Sequence, residues 1–448
     1  MRCVISLFVI TVFVSLLRIG VVDAQILSMR ERANLIDEMS QDRLNTVLPD
    51  LMTREKIDMW ILISREYNED PVLKTMLPST WLSARRRTIL VLFNPGQGKP
   101  IERMAVARYD VDSLFSKKWD KEKQPDQWQR LVELIKQKNP RRIGINKSEH
   151  FALADGISAT EYEQLKSAMG ESLSTKLVSA ELLAVAWLET RSEMEMAVYP
   201  ELIQIGHQLI KRAFSNEVVT PGVTTTTDIV WWLREQTREL KLTNWFHPSV
   251  SIQRSNNEQF DQISAFSGAK KDQVIQPGDL LHVDFGLVYL RLHSDQQQHA
   301  YVLKPDETEA PAFLNQALAN ANRLQDIFIA HFKAGRTGNQ VLKLAREQAI
   351  QEGIKPSIYT HPIGFHGHAA GTTLGMWDAQ GGVPVQGDYP LHYNTAYSIE
   401  LNAASFIPQW KKEIRIMLEE QAFFDEAGVH YLDGRQTQFH LINSKSQP

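Results

Sequence analysis

The sequence predicts an α/β unit followed by a longer unit of amphipathic helices and acid-bearing strands. Three observations carry that expectation. Short, nearly continuous apolar runs alternate with charged helical stretches as far as about residue 175, the pattern of strands buried inside an α/β sheet. Apolar helical stripes then dominate 192–240 and 311–352. Between and after them lie strands whose two-residue alternation puts carboxylates on one face and apolar side chains on the other.

At 448 residues the chain is long enough for two or three domains, and 43% hydrophobic with 23% charged residues is ordinary for a soluble globular protein. A net charge of −4 gives no hint of nucleic acid or an anionic membrane surface as partner. The first 24 residues are different material. Met1-Arg2 precedes an apolar run over 3–17, too short to span a bilayer comfortably, and Val22-Asp23-Ala24 offers small residues before Gln25. That order reads as a signal peptide (1–24) on an exported protein, periplasmic or secreted, with an uncleaved anchor as the alternative. No later stretch is apolar enough to cross a membrane, so none is expected to hold the mature chain there. The only cysteine, Cys3, lies in this segment, which leaves the mature chain no disulfide and no thiol nucleophile.

In order, residues 26–55 are charged with apolar residues at helical spacing. DMWILIS (58–64) and RRRTILVLF (85–93) read as buried strands, a charged helix is expected over about 118–138, and RRIGIN (141–146) adds a strand. Arg85-Arg86-Arg87 reads as a solvated or ion-paired strand end, or else as a substrate or subunit contact. Residues 176–190 read as a linker. Ser192 and Glu195, in capping-box spacing, open a helix striped by Val198, Leu202, Ile205 and Leu209, which Pro200 should kink or restart. A second amphipathic helix falls within 219–240, and NWFHPSVSIQ (244–253) reads as a strand. His247 in it is a structural histidine or a substrate contact.

The acids follow. Asp284 and Asp295 lie in 278–303, which reads as a hairpin with Gly286 near its start. His282, Asp284 and Gly286 share one face of the first strand, against Val283, Phe285 and Leu287 on the other. Two acids on neighbouring strands repel each other. Divalent cations are a common remedy, and plain solvation is the alternative. Residues 359–382 are glycine-rich and carry histidines at 361, 366 and 368, a pattern suited to metal ligation or proton transfer. In AYSIELNA (396–403), Glu400 shares the polar face with Ser398 and Asn402; in EIRIMLEEQAFF (413–424), Glu419 points to the more polar side and Glu420 to the apolar one.

In order and spacing, VDFG with Asp284, HSD with Asp295, HPIG from His361, SIEL with Glu400 and LEEQ with Glu419 resemble the motifs of the pita-bread metallopeptidases. That group includes aminopeptidase P, prolidase, methionine aminopeptidase and the non-metallo relative creatinase. The resemblance implies a creatinase-like N-terminal α/β domain over 26–175 and an α+β pita-bread catalytic domain over 185–437. It implies an Xaa-Pro aminopeptidase or dipeptidase acting on small peptides, with a metal-free hydrolase or inactive binding protein on the same fold as the alternative. It further implies two divalent metal ions, Mn²⁺ first with Zn²⁺ or Co²⁺ as alternatives, held by Asp284, Asp295, His361, Glu400 and Glu419. Asp295 and Glu419 would bridge, Glu400 would also serve as general acid–base, and His368 would stabilise the oxyanion. A rival alignment through GHAAG makes His368 the ligand and leaves Trp377 near the second histidine's place; His361 is preferred because only that choice fills both roles. Three departures bear on substrate preference more than on metal binding. Leu401-Asn402 follows Glu400 where the family has Pro-Gly, Gln297-Gln298 replaces its Thr-Arg, and its histidine ahead of the first acidic strand would fall near Phe266 or Ser267 and is absent. The resemblance allows a homodimer.

Overall fold

A computed structural model describes residues 26–256 and 272–444. The expected signal peptide with Cys3, and the positions Phe266 and Ser267, lie outside the described residues. Helices α1 (Met29–Thr46) and α2 (Leu48–Arg54) lead into strand β1 (Met59–Arg65), a short helix α3 (Pro71–Thr75), and strands β2 (Arg87–Phe93), β3 (Glu102–Ala105) and β4 (Ser116–Lys117). Helix α4 (Gln127–Lys138), β5 (Ile143–Ile145), α5 (Ala159–Ser174) and β6 (Leu177–Ser179) complete a sheet of order β4-β3-β2-β1-β5-β6. The unbroken apolar runs are explained by burial on both sides. Trp60, Leu62, Leu90 and Leu92 pack into the cluster holding α2, whereas Met59, Ile61, Ile63, Ile89 and Val91 pack against α4 and α5. Arg87, the last of the three arginines, pairs with Glu161 as Arg65 does, while Arg85 lies over the Trp81 ring.

Two expectations fail here. The helix expected from 118 begins at Gln127, because Asp126 caps it by accepting from the N–H groups of Trp128 and Gln129. The stretch 176–190 is no linker: it holds β6, parallel to β5, and the helix α6 (Glu181–Glu189), buried from Leu183 onward. Between its terminal glutamates the helix is apolar all round (LLAVAWL), so no amphipathic stripe betrayed it.

Helix α7 (Glu193–Ala213) starts at the predicted capping box and runs on through Pro200 without restarting. After it come α8 (Thr226–Glu239), β7 (Ser249–Gln253), β8 (Leu280–Phe285), a small ribbon of β9 (Val288–Tyr289) and β10 (Leu292–His293), and β11 (Gln296–Val302). The 278–303 hairpin therefore exists, with an excursion at its tip. Residues 311–352 form two helices, α9 (Ala312–Ala330) and α10 (Gly338–Gln351). The remaining strands are β12 (Lys355–Ile358), β13 (His361–Pro362), β14 (Thr395–Ile407), β15 (Lys412–Asp425), β16 (Gly428–Tyr431) and β17 (His440–Ile442). The second sheet runs β12-β14-β15-β11-β8-β7. One of its faces is covered by helices: Leu281, Val283 and Phe285 pack on α7 and α8, and Ile399, Leu401 and Leu418 on α9 and α10. Alternation sends the intervening acids to the other face.

Candidate metal centre

Strand register sets out the acids. Glu400 of β14 lies opposite Glu419 of β15, Glu419 opposite Gln297 of β11, and Gln297 opposite Asp284 of β8. These four side chains form one transverse row on the face turned away from α7–α10. Asp295, just before β11, and His361, which opens β13, close the group. One ligand atom each from Asp284, Asp295 and Glu419 lies within 4.8 Å of the others, as it does for His361, Glu400 and Glu419 and for Asp295, His361 and His368. His361 Nε2 stands 3.6 Å from Glu419 Oε1 and 3.9 Å from both Asp295 Oδ2 and Glu400 Oε2. All six sequence-predicted residues thus come together.

The arrangement fits divalent cations. Burial, and then the charges of Glu419 and its neighbours, hold the Asp295 and Glu400 carboxyls well above the usual carboxylate range. Among the described residues, Asp295 Oδ1 and His361 Nε2 are buried with no hydrogen-bond partner. His361 Nδ1 lies 3.0 Å from the Pro362 carbonyl; a proton donated there leaves the Nε2 lone pair facing the acids, the tautomer a ligand needs. Oxygen-rich donors with spare lone pairs and too few counter-charges are what a hard or borderline cation completes.

His368 is placed differently. It lies at the exposed edge of the group, its ring 4.7 Å from that of His361 and 5.1 Å from that of Trp245. Lost hydration in the cleft and the neighbouring His361 push its pKa down to about 4, so it is neutral near pH 7.

The acids floor a cavity of about 580 Å³ whose walls include Trp245, Phe246, Tyr359, Met376 and Trp377, with Phe151–Leu153 reaching in from the first half. A wider cleft of about 1400 Å³ beside the β2–β3 turn holds none of the grouped acids or histidines, so size is no guide to chemistry here. Sequence reasoning missed Phe151, Leu153 and Trp245, which arrive through tertiary contacts. Trp245 left a trace nonetheless: a Cβ on Gly286 or Gly367 would collide with its ring, so both glycines are needed for its close approach. Also missed was the support behind the acids. The Gln297 amide nitrogen donates to Glu400 and Glu419, Ser398 Oγ donates to Glu419, and the Thr360 hydroxyl clamps the Glu400 backbone. His247 lies outside the cavity lining, with Nδ1 3.0 Å from Arg234 and its ring against Trp231.

A model of metallopeptidase family M24 matches residues 200–425, just over half of the chain and the whole span of the grouped acids. Over 233 residues the chain is 25% identical to an uncharacterized peptidase, YqhT, of Bacillus subtilis (strain 168), a match covering 49% of this chain and 58% of that protein. Among solved structures, the X-Pro aminopeptidase of Thermotoga maritima aligns with a TM-score of 0.62 at 17% identity, covering 88% of this chain and 99% of that one. The Xaa-Pro dipeptidase of Bacillus anthracis gives 0.58 at 16%, covering 93% and 100%. The prolidase of Pyrococcus furiosus gives 0.54 at 15%, covering 87% and 100%. At these identities the likeness is one of fold.

Proposed function

Because this chain belongs to metallopeptidase family M24, we propose that it is a dinuclear-metal peptidase that removes the residue preceding proline from the N-terminus of small peptides. One observation carries this: four carboxylates and two histidines converge in a single cavity, with buried donor atoms left unpartnered. The proline preference is supported by similarity alone, through the X-Pro aminopeptidase and Xaa-Pro dipeptidase that share the fold. Asp284, Asp295 and Glu419 would hold one cation, and Asp295, His361, Glu400 and Glu419 the other, with Mn²⁺ favoured over Zn²⁺ or Co²⁺ by the excess of carboxylates. Such ions, when bound, polarise a carbonyl and acidify water. Glu400 would take a proton and pass it to the leaving nitrogen. His368, neutral and at the edge, would donate a hydrogen bond to the substrate oxygen as charge grows there. The aromatic walls exclude water and receive apolar side chains. Export belongs to the same proposal and is supported by the signal-like order of residues 1–24.

The test is hydrolysis of a panel of Xaa-Pro peptides before and after chelation. Cleavage that stops in chelator and returns with Mn²⁺ is expected. Equal cleavage with and without chelator would overturn the metal, and no cleavage by the reloaded protein would overturn the peptidase.

A further inference from the structure

We propose that Gln297 is a positioning residue of this centre, whose amide holds Glu400 and Glu419 in ligating posture and so sets the affinity for cations; this rests on the metallopeptidase reading above. In the transverse row Gln297 is the one neutral member, flanked in register by Asp284 on one side and Glu419 on the other. Its Nε2 is 2.6 Å from Glu400 Oε1 and 2.6 Å from Glu419 Oε2, so both N–H groups are committed to proposed ligands. The amide cannot be turned over. Its Oε1 accepts from His282 Nε2 at 2.9 Å, and exchanging oxygen for nitrogen would aim an acceptor at two carboxylates. Gln297 and His282 are both buried, which denies water the chance to substitute for either bond.

The residue type matters as much as its place. A lysine or arginine here would neutralise the acids and compete with the cation, and a fifth acid would add repulsion. An amide fixes the carboxylates without changing their charge. Each carboxylate oxygen has two lone pairs, so a hydrogen bond to Gln297 leaves one for a metal. Outer partners that orient ligating groups commonly govern metal affinity by about 10–100-fold.

Gln297→Met keeps the length and removes both donors; Gln297→Thr keeps one. The full chain is stripped of metal and titrated with Mn²⁺ against a chelator of known affinity, and the metal-free proteins are melted in parallel. The dissociation constant of Gln297→Met should rise at least tenfold, and that of Gln297→Thr at least threefold but by less. A merely structural role would lower the melting temperature of the metal-free protein and leave affinity alone. A rise below tenfold in Gln297→Met overturns the proposal. If that variant does not fold, a rise below threefold in Gln297→Thr does so. A wild-type chain that binds no Mn²⁺ overturns the metallopeptidase reading itself, and this proposal with it.

Discussion

Glu419 and Glu420 are consecutive residues of β15, both fully buried, and they face opposite sides of one sheet. On the helix-covered side Glu420 meets His207 Nε2 at 2.6 Å and accepts from the Gln298 amide at 2.9 Å and the Gln436 backbone at 3.1 Å. His207 also holds Asp433 at 2.8 Å. Burial works to lower the pKa of this imidazole, but the Glu420 and Asp433 carboxylates outweigh it and push the value up to about 10. The rear acid therefore has a cation of its own. In front, Glu419 shares His361 with Asp295 and Glu400, at 3.6–3.9 Å. Residue type, strand and depth are the same. What differs, among the described residues, is whether a counter-charge stands beside the acid, and a row of acids without one is where a cation from solution belongs.

The sharpest way to break this contrast is to neutralise each acid in turn. Glu419→Gln should cut kcat/KM on the best Xaa-Pro substrate by at least about 10²-fold, the scale of losing one preorganised electrostatic group. The same change should raise the melting temperature of the metal-free protein, because it removes a buried repelling charge. Glu420→Gln should do the reverse. Activity should stay within a few-fold, while urea unfolding shows a loss of about 3–5 kcal/mol as His207 loses a buried partner. Identical behaviour in the two variants would mean that the faces do not differ.

The two front histidines should differ from each other as well. His361→Ala should abolish retention of at least one divalent ion on desalting. His368→Ala should retain both ions yet lower kcat by roughly 10²-fold, the effect of one oxyanion donor. The opposite assignment would favour the alignment that makes His368 the ligand.

The rear pair also has a signature in pH. The folded pKa of His207 stands above its ordinary 6.5, at about 10. Its stabilising contribution is therefore complete below pH 6.5 and fades as pH rises through 10. Urea unfolding of the metal-free protein between those limits should show stability falling with pH, and Glu420→Gln should flatten the slope.

Much of this was legible because alternation is local. VDFG, SIEL and LEEQ each show which side chains leave the apolar face, and the sheet turns those faces to one side. Glu420 went to the helix-covered side as expected; that His207 of α7 waits there could not be read, since only packing brings 207 beside 420. Gln297 looked like a departure in substrate preference. It stands between two acids because of cross-strand register, which pairs residues more than a hundred positions apart. The cavity walls contributed by Phe151 and Leu153 were hidden because only tertiary packing brings them to the acids. Short, uniformly apolar α6 was missed for another: periodicity cannot be seen where both faces are buried.

The proposed function rests on the dependence of the front row of acids on divalent cations from solution. Its most direct test is the metal content of the reloaded, desalted chain, measured by elemental analysis beside Glu419→Gln. Two divalent ions per wild-type chain, falling to one or none in the variant, are predicted. A wild-type chain that retains no divalent ion while still cleaving Xaa-Pro peptides would contradict it.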